Sequence, residues 1–255
     1  MYLNVRGLVI RATQYNDTDL LLTLLTADYG KLTAKARGAK RKNSKLIAPS
    51  QLLAYCEYTL FEYKGMYTIN EAEPIELFTP LHRDLDKLAL ATYFVQAAEV
   101  VSQEDMATPG LLSLVLNSLY ALGQDRASHC QIKAVFELRL ACLAGYEPDL
   151  RGCAVCGKET PDRFDVSQGA LVCSKCRASG DPGIRMPVSL GILDSMRYIC
   201  SCEPKRLFSF RLSNENLESL SFLTESYLST QLERGFSALD FYKTLAVEQG
   251  RIHID

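Results

Sequence analysis

Four cysteines carry the most specific chemistry in this chain: Cys153-Ala-Val-Cys156 and Cys173-Ser-Lys-Cys176, two CxxC turns with 16 residues between them. Two residues between thiols let one tight turn aim both sulfurs at a single tetrahedral ion, and Gly157 tolerates the backbone geometry that N–H bonds to sulfur require. The spacing is that of a four-thiolate ribbon, so Cys153, Cys156, Cys173 and Cys176 are expected to hold structural Zn2+, with a rubredoxin-like iron site as the alternative. Four thiolates complete the tetrahedron and leave no position for water, so such a site folds its loop and hydrolyses nothing. The remaining five of the nine cysteines, Cys56, Cys130, Cys142, Cys200 and Cys202, stand in apolar or helical sequence and read as small buried hydrophobes. The single residue between Cys200 and Cys202 makes joint chelation awkward.

The second signal is electrostatic. Lys31, Lys35, Arg37, Lys40, Arg41, Lys42 and Lys45 place seven positive charges and no negative one between positions 31 and 45, whereas the chain as a whole carries a formal charge of −2. Gly38 inside the run and Asn43, Ser44 and Pro49 after it suggest a mobile loop able to track a phosphate backbone. Aromatic residues follow at Tyr55, Tyr58, Phe61, Tyr63 and Tyr67. A cationic groove with stacking aromatics is how barrels of OB type bind single strands. Alternation puts Tyr55, Phe61 and Tyr63 on one strand face and Tyr58 on the other, so one set at most can line a groove. Around the cysteine turns the charges are mixed: Arg151, Lys158, Arg163, Lys175, Arg177 and Arg185 alternate with Glu159, Asp162, Asp165 and Asp181, which fits a solvated loop domain.

Other chemistry is missing from the motifs. Gly30-Lys31 and Gly157-Lys158 are followed by Leu32 and Glu159, not by the Ser or Thr of a phosphate-binding loop. There is no HExxH, no deaminase context around the cysteines, and no glycine elbow around a serine. His82, His129 and His253 are scattered, and no catalytic residue or enzymatic activity is expected. No apolar run approaches the ~20 residues of a membrane span, and the first residues lack the plan of a signal peptide, so a cytoplasmic protein is expected.

These residues need elements to position them. Short strands are expected at Gly7–Ile10, Leu20–Thr26, Lys31–Ala36, Leu52–Phe61 and Met66–Ile69, with a tight hairpin at Ala27–Gly30. Five strands suit an OB barrel, although an SH3-like barrel has a similar pattern. From Asp84 the apolar spacing becomes helical: Leu111, Leu112, Val115, Leu116 and Leu119 form one stripe, and Ile132, Val135, Phe136, Leu140 and Leu143 another. Thr108-Pro109 reads as a helix cap with proline in the first turn, and Gly145 as a helix end. Further helices are expected from Val188 to Ile199, Asn214 to Thr230 and Ser237 to Val247. The stretch between Leu150 and Pro187, poor in apolar residues, reads as a metal-held insertion. The fold expected is α+β and multidomain: an OB-fold β-barrel over 1–80, an all-α helical domain over 81–149 and 188–255, and a four-cysteine zinc ribbon inserted at 150–187.

In this order the parts resemble the RecO family of bacterial DNA repair and recombination proteins. The likeness rests on Arg6-Gly7-Leu8-Val9-Ile10, Asp17-Thr18-Asp19-Leu20-Leu21, Tyr29-Gly30-Lys31 leading into Ala36-Arg37-Gly38-Ala39-Lys40, and Phe136-Glu137-Leu138-Arg139-Leu140 through Gly145-Tyr146-Glu147-Pro148. It implies a mediator without enzymatic activity that binds single- and double-stranded DNA and anneals complementary strands coated with single-strand-binding protein. It also implies that the protein promotes RecA loading together with RecR, in a bacterial, nucleoid-associated setting. Carried over residue by residue, it implies DNA contacts at Lys35, Arg37, Lys40, Arg41 and Lys42, to which the charge run adds Lys31 and Lys45. It further implies docking of the acidic tail of single-strand-binding protein on the helical domain, where Arg126, Ile132, Lys133, Phe136 and Arg139 are candidates and an ordinary amphipathic helix is the alternative. Two competing classes remain: a zinc-ribbon and OB module binding RNA or protein in transcription or translation, and a ligase-type nucleotidyl transferase, whose KxDG nucleophile motif is absent.

Overall fold

The computed structural model describes residues 1–176 and 183–248. Arg177, Asp181 and His253 lie outside the described residues. In chain order the elements are β1 (Tyr2–Gln14), β2 (Leu20–Thr26), β3 (Lys31–Ala36), β4 (Tyr55–Tyr63), β5 (Met66–Glu76), α1 (Thr79–His82), α2 (Leu85–Val101), α3 (Leu111–Gly123) and α4 (His129–Leu143). Then follow β6 (Asp149–Cys153), β7 (Arg163–Asp165), β8 (Ala170–Val172), β9 (Arg185–Pro187), α5 (Leu190–Ser201), α6 (Asn214–Gln231) and α7 (Ser237–Glu248).

β1 to β5 close into a barrel in the order β1-β2-β3-β5-β4, the parallel β3–β5 pair completing the ring. This is the arrangement of an OB-type barrel. Period-two alternation fills it: in β3 the side chains of Leu32, Ala34 and Ala36 point in while Lys31, Thr33 and Lys35 point out. Leu22, Leu24, Cys56, Tyr58 and Leu60 complete the core, and the Tyr58 hydroxyl donates to the carbonyl of Pro49 at 2.7 Å. Gly30 closes the β2–β3 hairpin at φ 61°, and a Cβ there would sit 2.1 Å from the carbonyl oxygen of Met106, so no other residue fits. Strands β1 and β5 run well beyond the segments expected from alternation, because their ends are held by pairing with neighbours.

The helices do not all gather in one body. The chain forms two compact units, Met1–Gln124 with the segment from Phe236 onward, and Asp125–Gly235. In the first, α7 packs on α2, with the rings of Phe236 and Tyr93 5.3 Å apart and edge-on. Asp84 caps α2 by accepting from the N–H groups of Asp86 and Lys87. The cap expected at Thr108-Pro109 is not formed: α3 starts at Leu111 behind Gly110 at φ 82°, and Thr108 contributes only its carbonyl, to the Leu111 N–H at 3.1 Å.

In the second unit α4 packs on α6 and α5, and Ser128, Ser189 and Ser213 each cap a helix with the side-chain oxygen. Gly145, at φ 91°, ends α4 as expected. Inside, the Lys133 ammonium meets Glu137 at 3.0 Å and Glu225 at 2.8 Å, while the Thr224 hydroxyl donates to Glu137 at 2.8 Å. Burial pushes the Glu137 carboxyl up, against the pull of Lys133. Between α4 and α5 the cysteine-bearing insertion is a four-stranded sheet in the order β6-β8-β7-β9, with Leu150, Phe164, Val166, Leu171 and Val172 buried as its small core. The Phe164 ring meets Tyr227 of α6 edge-on at 5.2 Å.

Candidate nucleic-acid interface and metal centre

Strand register builds the first site. Across the outer face of the barrel, Tyr2 of β1 stands opposite Phe61 of β4, Phe61 opposite Thr68 of β5, and Thr68 opposite Lys35 of β3. A single cross-strand row therefore leads from two aromatic rings to a cation. The rings of Tyr2 and Phe61 are 5.3 Å apart. Two residues along each strand, Tyr63 and Arg37 extend the same face, and with Tyr15 and Met66 these side chains line an open trough of about 430 Å³.

The loop after β3 leaves from the edge of this trough. It was expected to be mobile, but it is a run of hydrogen-bonded turns: Arg41 N–H donates to Gly38, Ser44 to Arg41 and Ser50 to Leu46, and Lys40 N–H reaches back to the carbonyl of Thr18. Asp19 is its anchor. The carboxylate accepts from the Gly38 N–H at 2.8 Å, from Lys35 Nζ at 3.0 Å and from Asn16 Nδ2 at 3.0 Å. These donors, the Gly38 N–H foremost and then Lys35, hold the Asp19 carboxyl well below the usual carboxylate range.

The seven expected cations accordingly differ in what they offer. Arg37, Arg41, Lys42 and Lys45 are exposed and form no ion pair among the described residues. Lys40 is exposed, and its ammonium donates to Gln14 Oε1 at 3.1 Å. Lys35 is committed to Asp19, and its ammonium lies 4.2 Å from the centre of the Tyr15 ring. Lys31 is half-buried and does not line the trough. Among the aromatics, Phe61 and Tyr63 face the trough, Tyr58 is core, Tyr67 is half-buried, and Tyr55 lines a separate recess beside α3. Tyr2 and Tyr15 escaped the sequence reading. An aromatic at each end of a strand that begins at position 2 was the available signal.

The second site is the cysteine cluster. The sulfurs of Cys153, Cys156, Cys173 and Cys176 all lie within 4.8 Å of one another, and those of Cys156 and Cys173 are 3.8 Å apart. Four bonds of about 2.3 Å to one tetrahedral ion require sulfurs about 3.8 Å apart, so the set fits a four-thiolate metal site. Burial would push the Cys153 thiol up, but the backbone N–H groups of Cys156, Val155 and Cys173 donate to it and hold it at about 6. Cys176 is raised by its hydrogen bond to Cys156 and by burial, as expected where four thiols compete for negative charge without a cation. Arg197 ties the ribbon to α5, donating to the carbonyls of Leu150 at 2.9 Å and Glu159 at 3.1 Å.

The tail-docking candidates are corrected by their burial. Ile132 and Phe136 are fully enclosed, Lys133 belongs to the internal ion cluster, and the Arg139 guanidinium donates to the carbonyls of Ile199, Cys200 and Cys202. Only Arg126 of the five is exposed, so they form no accessible face.

Comparison with known proteins bears on both sites. The family model for the N-terminal part of recombination protein O matches residues 1–78, and that for its C-terminal part matches residues 82–240. The chain is similar to the DNA repair protein RecO of Acetivibrio thermocellus, 36% identical over 96% of this chain and 97% of the relative. The RecO proteins of Symbiobacterium thermophilum and Alkaliphilus metalliredigens are 30% and 28% identical over 95% and 96% of this chain, covering 97% and 100% of those relatives.

Proposed function

Because the chain belongs to the RecO family of DNA repair proteins, we propose that it is a recombination mediator that binds single- and double-stranded DNA and anneals complementary strands coated with single-strand-binding protein. The observation that carries this reading is the cross-strand row Tyr2–Phe61–Thr68–Lys35, with Arg37 on the same trough and exposed Arg41, Lys42 and Lys45 in the loop that follows, none of them in an ion pair among the described residues. The loop cations neutralise phosphates, and the trough rings take base faces by stacking. Stacking uses the π-face of a base and leaves its pairing edge free, so a strand held this way can still find its complement. Lys35 positions rather than grips: it joins the loop to β2–β3 through Asp19.

The work is binding and alignment, with no covalent step. The four cysteines are proposed to hold zinc, whose role is to fold the ribbon. Promotion of RecA loading with RecR, and contact with the tail of single-strand-binding protein, follow from the family and are assigned to no residue of this chain.

The test is annealing of complementary labelled strands with and without single-strand-binding protein, alongside competition between matched DNA and RNA single strands. Acceleration of annealing on coated strands and preference for DNA are expected; preference for RNA with no annealing refutes the mediator reading. If about four phosphates are neutralised, log affinity for a single strand falls with log salt at a slope near −3, about 0.7 per contact.

A further inference from the structure

We propose that Cys142 and Cys200 form a reversible disulfide site, closed by exchange with a low-molecular-weight disulfide, that covalently joins α4 to α5 at the base of the ribbon. The two residues lie near the C-terminal ends of their helices, and their sulfurs are 3.7 Å apart, one thiol hydrogen-bonded to the other. Arg139, one turn before Cys142, binds the carbonyls of Ile199 and Cys200, so the helix ends are already clamped where the sulfurs meet. Closure takes the sulfurs from 3.7 Å to a bond of about 2.05 Å, a movement of less than about 2 Å between two packed helices. Cys202, two residues on, is not part of the pair: its sulfur faces the carbonyl of Ile199 at 4.0 Å.

Access and ionisation fit the same reading. Cys200 lines an open recess of about 600 Å³ with Glu147, Arg151 and Arg197, and Cys142 and Cys200 are both half-buried rather than enclosed. The hydrogen bond with Cys200 lowers the Cys142 thiol, Arg139 adding to it, while burial and Glu147 oppose. The thiolate is the attacking form, and either sulfur of the pair can open the exchange.

The exchange balances without a metal. The thiolate of either residue attacks one sulfur of the small disulfide, whose S–S bond breaks and releases one thiol. The other residue's thiol then loses its proton to solvent and attacks that protein sulfur, the Cys142–Cys200 bond forms, and the second small thiol departs. Two protein thiols are oxidised and one small disulfide is reduced to two thiols. The bond closes a 58-residue span that contains all four ribbon cysteines, so it constrains the unfolded chain whether or not metal is bound.

The test treats the metal-loaded, full-length protein with oxidised glutathione and maps thiols by differential alkylation and peptide mass spectrometry. One cross-linked peptide pairing Cys142 with Cys200 is expected, reversed by dithiothreitol, retained in C202S and absent from C142S and C200S. The thermal midpoint of the unaltered protein is expected to rise by several degrees on oxidation, and those of C142S and C200S to stay unchanged. Oxidation of the ribbon cysteines while Cys142 and Cys200 remain reduced overturns the proposal. So does a glutathione adduct on either residue that fails to resolve, or a bond that forms without raising the midpoint. The mapping on unaltered protein stands even if a variant folds poorly.

Discussion

Asp19 shows how a single residue shapes the interface. Its carboxylate gathers the loop that carries the free cations, and its depressed pKa makes that anchor resistant to acid. The sign follows from the depression: the stabilisation is complete above the unfolded carboxylate value of about 3.9 and is lost only as pH falls through the lower folded value. Carboxyl-carbon NMR of the folded protein should find Asp19 still ionised at pH 3, where exposed carboxylates have begun to protonate; a midpoint near 4 contradicts the anchoring. At the other end of the row, Tyr2→Ala and Phe61→Ala should each weaken single-strand binding by about 1–3 kcal/mol while leaving duplex binding much less affected, measured by fluorescence anisotropy. Phe61 and Tyr63 were legible in the sequence because alternation alone separates them from Tyr58. Tyr2 was not, since its place opposite Phe61 is set by the register between β1 (Tyr2–Gln14) and β4 (Tyr55–Tyr63), strands far apart in the sequence.

Among the elements, the ribbon depends most on something other than its own apolar contacts. Its strands β7, β8 and β9 have three residues each, and its buried apolar side chains are few, Leu150, Phe164, Val166, Leu171 and Val172, so the proposed metal ligation is expected to supply much of its order. Chelation is therefore expected to raise hydrogen exchange across β6 to β9 and to leave the barrel strands protected; unchanged exchange in the ribbon contradicts a folding role for the ion. The α4–α6 contact relies instead on Lys133 between Glu137 and Glu225. Lys133→Met removes the cation that holds buried Glu137 beside half-buried Glu225 and should cost about 3–5 kcal/mol in urea denaturation, a range measured for broken buried pairs. The CxxC spacing made the ribbon readable because it is a local constraint. The start of α3 was not readable in the same way: Thr108-Pro109 has cap chemistry, but Gly110 adopts a positive φ and the helix begins after it. Ile132 and Phe136 were placed on a helix correctly and on its surface wrongly, because α4 is enclosed on more than one side and a stripe says nothing of what covers it.

For the molecule as a whole, the governing feature is charge separation. The chain is slightly acidic overall, yet β3 and the loop after it hold seven cations, and five of them stand exposed with no ion pair among the described residues. Barrel and ribbon were both legible at this scale; the grouping of α7 (Ser237–Glu248) with α2 (Leu85–Val101) was not, since it joins segments far apart in the sequence. A body with this polarity meets a polyanion through one face. The most direct measurement is strand annealing by a variant carrying R37E, K40E and R41E, with circular dichroism and metal content matched to the unaltered protein. DNA binding and annealing are expected to disappear in that folded variant, whereas annealing at the original rate would contradict the basic loop as the gripping surface.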